Sequence, residues 1–176
     1  MRYLIALILL AAIPAHAEDI GNNTVCFTLG PHDCALVAVA EINKAQQTLR
    51  VQAYQFTEPH IAQAILDAKD RGDDVELIVD KTAVNEKNGE TQAMASAGIP
   101  VWVDYKPHIA HSKVIIIDGA VTIGGSFNYT TNADLHNAEN MTVIRDPQWA
   151  AAYEQNFESR LAASETLADY QAAHPK

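Results

Sequence analysis

Four consecutive apolar residues, Val114, Ile115, Ile116 and Ile117, constrain the fold more than any other part of the chain. A strand with no polar alternation must be covered on both faces, which places it at the centre of a sheet with helices above and below. Asp118-Gly119 follows as a two-residue turn signal, and Val121 to Ile123 return as a hairpin partner. The two-residue period of a strand sets His111 and Lys113 on one face at the strand's entry. The return strand brings Gly125, Ser126 and Asn128 back towards the same end, so a base, a cation and two hydrogen-bonding side chains converge.

The remaining chain alternates strand and helix patterns. Thr24 to Leu29 reads as a strand, Asp33 as the cap of a helix with Leu36, Val39 and Ala40, and Leu49, Val51 and Ala53 as an alternating strand. Thr57 is expected to cap a helix that carries Pro59 in its first turn and ends at Gly72. Val75, Leu77 and Val79 form a further strand, a small-residue helix closes at Gly98, and residues 100–104 form a short strand. Residues 141–144 supply another. A last helix opens at Asp146-Pro147, with Trp149, Tyr153, Phe157 and Leu161 as a core stripe. This order predicts one α/β domain over residues 18–176, a layered mixed or largely parallel sheet with helices on both faces and a site at a strand edge. No internal repeat is visible.

Residues 1–17 have the charged, apolar and small-residue parts of a secretory signal peptide, with cleavage expected after Ala17. The apolar stretch falls short of the ~20 residues of a spanning helix, so the expectation is a periplasmic or secreted protein without stable membrane association. Export lets Cys26 and Cys34 pair as a disulfide clip, worth about 2–3 kcal/mol for so short a loop. Loss of Arg2 with the leader takes the formal charge from −10 to −11. Such a charge argues against a tight, wrapping nucleic-acid binder and requires the few cations to gather at the site. Lys106, Lys113 and Arg145 are the candidates.

The pattern HxKxxxxDxxxxxxGSxN over residues 111–128 resembles that of the phospholipase D superfamily of phosphodiesterases. Residues 52–57 (Gln-Ala-Tyr-Gln-Phe-Thr) and 75–81 also look like the early strands of its small bacterial members. Most similar are the exported, metal-independent endonucleases with one copy of the motif. The resemblance implies a phospholipase D-like fold and a covalent phosphohistidine at His111, a role that a partly neutral imidazole can fill. Lys113, Ser126 and Asn128 are then the phosphate-binding residues. Glu139 is the expected carboxylate that orients His111, while Asp118 and Gly125 are motif residues with structural roles.

No carboxylate cluster accompanies the motif, so neither a metal nor another cofactor is expected, although His108 and His136 keep a zinc site as an alternative. The expected activity is nonspecific endonucleolytic hydrolysis of DNA, with RNA as a second substrate. The rival activities are lipid hydrolysis of the phospholipase D type and noncatalytic binding in the envelope or in DNA transfer. One motif per chain, and a reaction needing both a nucleophile and an acid, predict a homodimer with a shared active site.

Overall fold

The computed structural model describes residues 17–30 and 33–175; the expected leader, apart from Ala17, lies outside them. Nine strands form one sheet: β1 (Glu18–Ile20), β2 (Asn23–Phe27), β3 (Thr48–Ala53), β4 (Asp74–Asp80), β5 (Val101–Asp104), β6 (Lys113–Ile117), β7 (Val121–Gly125), β8 (Asn140–Arg145) and β9 (Glu165–Thr166). Their order is β1-β2-β8-β7-β6-β3-β4-β5-β9. β3, β4 and β5 run parallel to one another, and every other pairing is antiparallel, so the sheet is mixed.

The uninterrupted apolar strand sits mid-sheet, as its composition requires. Ile115 and Ile117 of β6 join Leu49, Val51, Val75 and Leu77 in the larger core. Helices α1 (Cys34–Ile42), α2 (Pro59–Arg71), α3 (Thr91–Ser96) and α6 (Leu167–Ala173) contribute to that core. Val114 and Ile116 point the other way, to Ile78, Ala150 and Phe157 beneath α5 (Pro147–Ala163). A sixth, short helix, α4 (Thr131–Leu135), follows β7, and a 3-10 turn over Lys81–Asn85 follows β4. Cys26 of β2 is bonded to Cys34 at the start of α1.

Three local expectations need correction. On α1 the buried face is Ala35, Ala38 and Ile42, while Leu36 and Ala40 are exposed. The cap of α2 is Glu58, not Thr57: Pro59 occupies the first helical position, and the Glu58 carboxylate accepts from His60 N. Thr57 N instead donates to Tyr129 O at 2.8 Å. The stripe on α5 is also only partly core, since Phe157 is buried while Trp149 is 48% exposed. A four-residue spacing turns about 40° per step relative to a helix of 3.6 residues per turn, so the stripe swings off the sheet at its N-terminal end.

Candidate active site

The site lies at the end of the sheet where β6 begins and β7 ends. Register fixes it: Lys113 pairs with Ala53 of β3, and Val114 with Gly124 of β7. After β7 the chain passes under Asn140 O, which accepts from Ser126 N at 3.1 Å and Phe127 N at 3.2 Å. Gly125 makes that approach possible: at φ 149° a Cβ on it would lie 2.3 Å from Asn140 O. Phe127 and Tyr129 then bury themselves, while Ser126 is exposed and Asn128 half-buried. Asn128 Oδ1 is buried and has no partner among the described residues.

Lys113 is buried, yet among the described residues its ammonium has no carboxylate in hydrogen-bond contact. Its Nζ lies 2.8 Å from His111 Nδ1 and 2.6 Å from His111 O. Burial pulls its pKa down to about 8, and the charge of Glu139 opposes part of that fall. Tyr54 covers both groups: its ring centroid is 4.4 Å from that of His111, and Lys113 Nζ is 5.0 Å from it. His111 itself is exposed.

Glu139 belongs to the same cluster through a different contact from the expected one. Its Oε2 accepts from Ser126 Oγ and its Oε1 from Asn137 Nδ2 at 3.1 Å, while His111 Nδ1 faces Lys113. Asp118 lies at the other end of β6, where its carboxylate accepts from the backbone of Gln46, Gln47 and Thr48. These bonds tie the hairpin turn to the entry of β3. Arg145 does not join the site. It ends β8 opposite Val121 and pairs with Glu41 at 2.7 Å. Lys106 sits in the loop before His111, its Nζ 5.9 Å from the Tyr105 ring centroid. His108 and His136 are exposed, and among the described residues no three His, Cys, Asp or Glu side chains cluster to hold a metal ion.

Sequence reasoning gave no role to three residues that shape the site. Tyr54 follows directly on β3, whose last residue pairs with Lys113, and that register was the signal for it. Asp80 and Lys81 leave the end of the central parallel strand β4, the usual edge for functional groups in such sheets. Asp80 Oδ2 accepts from Ala110 N at 2.7 Å, and Lys81 Nζ donates to Pro107 O at 3.0 Å. Together they hold the loop that carries His111.

The geometry agrees with the comparisons. Residues 38–161 match the family profile described as cardiolipin synthase, PLD-like domain. A protein named phospholipase D from Rickettsia typhi is 39% identical over 143 residues, covering 81% of this chain and 70% of its own. A mitochondrial cardiolipin hydrolase from Chlamydomonas reinhardtii is 32% identical over 117 residues, 66% of this chain and 52% of its own. Among solved structures, the phospholipase D family member Nuc from Salmonella typhimurium superposes with a TM-score of 0.74 at 32% identity, covering 82% of this chain and 97% of that one. NucT from Helicobacter pylori shares the fold with a TM-score of 0.71 at 22% identity. The chain therefore belongs to the phospholipase D superfamily and is one of its phosphodiesterases, built as a small α/β domain around a single His111–Lys113 motif.

Proposed function

We propose that the protein is an exported endonuclease that hydrolyses DNA, and secondarily RNA, through a covalent intermediate on His111 and without a metal. The observation that carries this reading is the open cluster of His111, Lys113, Ser126 and Asn128 on one strand end. Among the described residues its buried cation, Lys113, is hydrogen-bonded to a ring nitrogen and a carbonyl and lies over the Tyr54 ring, with no carboxylate in contact. An ammonium so placed is free to take a phosphate oxygen.

A protonated Lys113 donates into His111 Nδ1, which leaves the ring hydrogen on Nε2. Attack on phosphorus needs the other tautomer. Phosphate binding draws Nζ to the anion, and Nδ1 then requires an acceptor. Glu139 is the carboxylate for that role, released when Ser126 turns its hydroxyl from Oε2 to the phosphate. The N–P bond forms as the bond to the leaving oxygen breaks, and water later hydrolyses the phosphohistidine.

The active unit in this reading is a homodimer, with His111 of one subunit as nucleophile and the second copy protonating the leaving oxygen. Two motifs facing each other also double the local positive charge on an acidic protein. The resemblance at 32% identity to Nuc and nearly full coverage of that chain favour the nuclease. The relatives named phospholipase D favour lipid hydrolysis as the second reading. Incubation of the mature protein with plasmid DNA and with phosphatidylcholine vesicles, each with and without excess EDTA, separates them. Nicked DNA in EDTA and intact lipid are expected; lipid cleavage alone, or activity restored only by added metal, refutes the proposal. Subunits mixed with His111→Ala and fully exchanged should show activity following the square of the wild-type fraction, whereas a linear dependence means that one chain suffices.

A further inference from the structure

A cavity of about 160 Å³ lies between the loop carrying His111 and the sheet face that α5 covers. His111, Ser112, Ile109 and Pro107 wall it on the loop side, Arg160 approaches from α5, and Gln52 of β3 lies on the sheet side. Gln52 is 5% exposed, so its environment is the cavity rather than bulk water. Among the described residues its carboxamide has no hydrogen-bond partner, and it is not sealed in the protein either. The carboxamide is therefore reachable from the cavity, where a ligand or ordered water can complete it.

The charged groups around the cavity are already engaged. Arg160 Nε donates to Asp104 at 2.7 Å, and Asp80 accepts from Ala110 N and Thr82 N. Gln52 adds a neutral offer, one donor and one acceptor side by side, next to the apolar Ile78, Val79 and Ile109, with Ser112 as a further neutral polar group. A cationic headgroup would find its carboxylates occupied. The volume is close to that of a cavity known to hold one benzene-sized ring. We infer that this cavity is a subsite for a one-ring nucleobase of a nucleotide flanking the scissile phosphate, read by the Gln52 carboxamide. His111 is part of its wall, so a base seated there belongs to the nucleotide whose phosphate lies at the nucleophile. The pairing is of the kind by which a carboxamide meets adjacent donor and acceptor groups on a base edge. The inference rests on the nuclease reading and adds to it a preference for pyrimidines at one position beside the cut.

Three diesters with one leaving group test it: thymidine 5′-(p-nitrophenyl) phosphate, thymidine 3′-(p-nitrophenyl) phosphate, and methyl p-nitrophenyl phosphate as the comparator without a base. For the wild-type protein, kcat/KM for one thymidine diester should exceed that for the methyl diester by about tenfold or more. Gln52→Leu should cut that advantage about tenfold. An unchanged advantage in Gln52→Leu, or none in the wild type, overturns the inference. Where the variant folds poorly, competition in the wild type decides: thymidine should inhibit hydrolysis of the methyl diester where deoxyribose does not, and equal behaviour of the two refutes the subsite. Failure of the wild type to hydrolyse any of the three diesters is a separate result, which removes the phosphodiesterase chemistry itself and the subsite with it.

Discussion

Replacing Asp118 by alanine should destabilise the fold and leave the chemistry of the folded molecules intact, although Asp118 lies inside the motif. Its carboxylate accepts three backbone N–H groups, from Gln46 at 3.0 Å, Gln47 at 2.8 Å and Thr48 at 2.9 Å. Hydrogen bonds to a charged acceptor contribute about 1.5–3 kcal/mol each when well buried; partial exposure of Asp118 reduces the sum to about 3–4 kcal/mol. Its φ of 51° adds a penalty of about 1 kcal/mol for alanine, because aspartate tolerates the left-handed region better. A loss of about 4–5 kcal/mol lowers the melting temperature by roughly 8–20 °C in a domain of this size. Asp118 lies five residues beyond Lys113, a span of about 17 Å, too far for direct contact with a phosphate at His111. Thermal unfolding followed by circular dichroism, together with kcat measured per folded molecule, separates the two effects. A melting temperature within 2–3 °C of wild type, or a hundredfold fall in kcat in a folded protein, refutes the structural assignment.

The alkaline limb of activity should follow Lys113. With its pKa lowered to about 8, kcat/KM should fall above that pH, while stability moves the opposite way. The folded pKa lies below the unfolded 10.5, so this group's contribution to stability is smallest below pH 8 and grows up to about 10.5. Parallel pH series of kcat/KM and melting temperature check both signs. Asp134 gives the mirror case: burial raises its pKa to about 6 beside Asp33 and Glu58, so its contribution is full below pH 3.8 and is lost as pH rises through 6. Asp134→Asn keeps an acceptor for Ala35 N, and should be more stable than wild type at pH 7 with a flatter stability profile from pH 4 to 7 in denaturant titrations. Tyr54→Phe should retain nearly full kcat because the ring remains over His111 and Lys113, whereas Tyr54→Leu should lose about tenfold or more. Equal losses in both variants would assign the effect to the hydroxyl.

The sheet was legible because its central strand has a composition that only burial on both faces permits, and the hairpin after it because Asp118-Gly119 demands a tight turn. The motif residues could be placed together for the same reason: a strand period and a return strand determine which side chains meet. What was missed depended on contacts between elements distant in sequence. Tyr54 acts through a neighbour 57 positions away, and nothing local to it distinguishes a ring over an imidazole from a core aromatic. Arg145 read as a candidate on charge alone, but strand direction carries it to the far end of β8, where Glu41 takes it. Trp149 read as core because a four-residue recurrence resembles a stripe over one turn and departs from it over three.

The proposed mechanism stands on a covalent bond from His111 to phosphorus. Thymidine 5′-(p-nitrophenyl) phosphate would be mixed with excess enzyme and quenched in alkali, in which phosphohistidine survives, and the peptide containing His111 weighed by mass spectrometry. Release of p-nitrophenolate should be matched by a thymidylyl group on His111, and on no other residue. Product formation with His111 unmodified, or an adduct elsewhere in the chain, would contradict it.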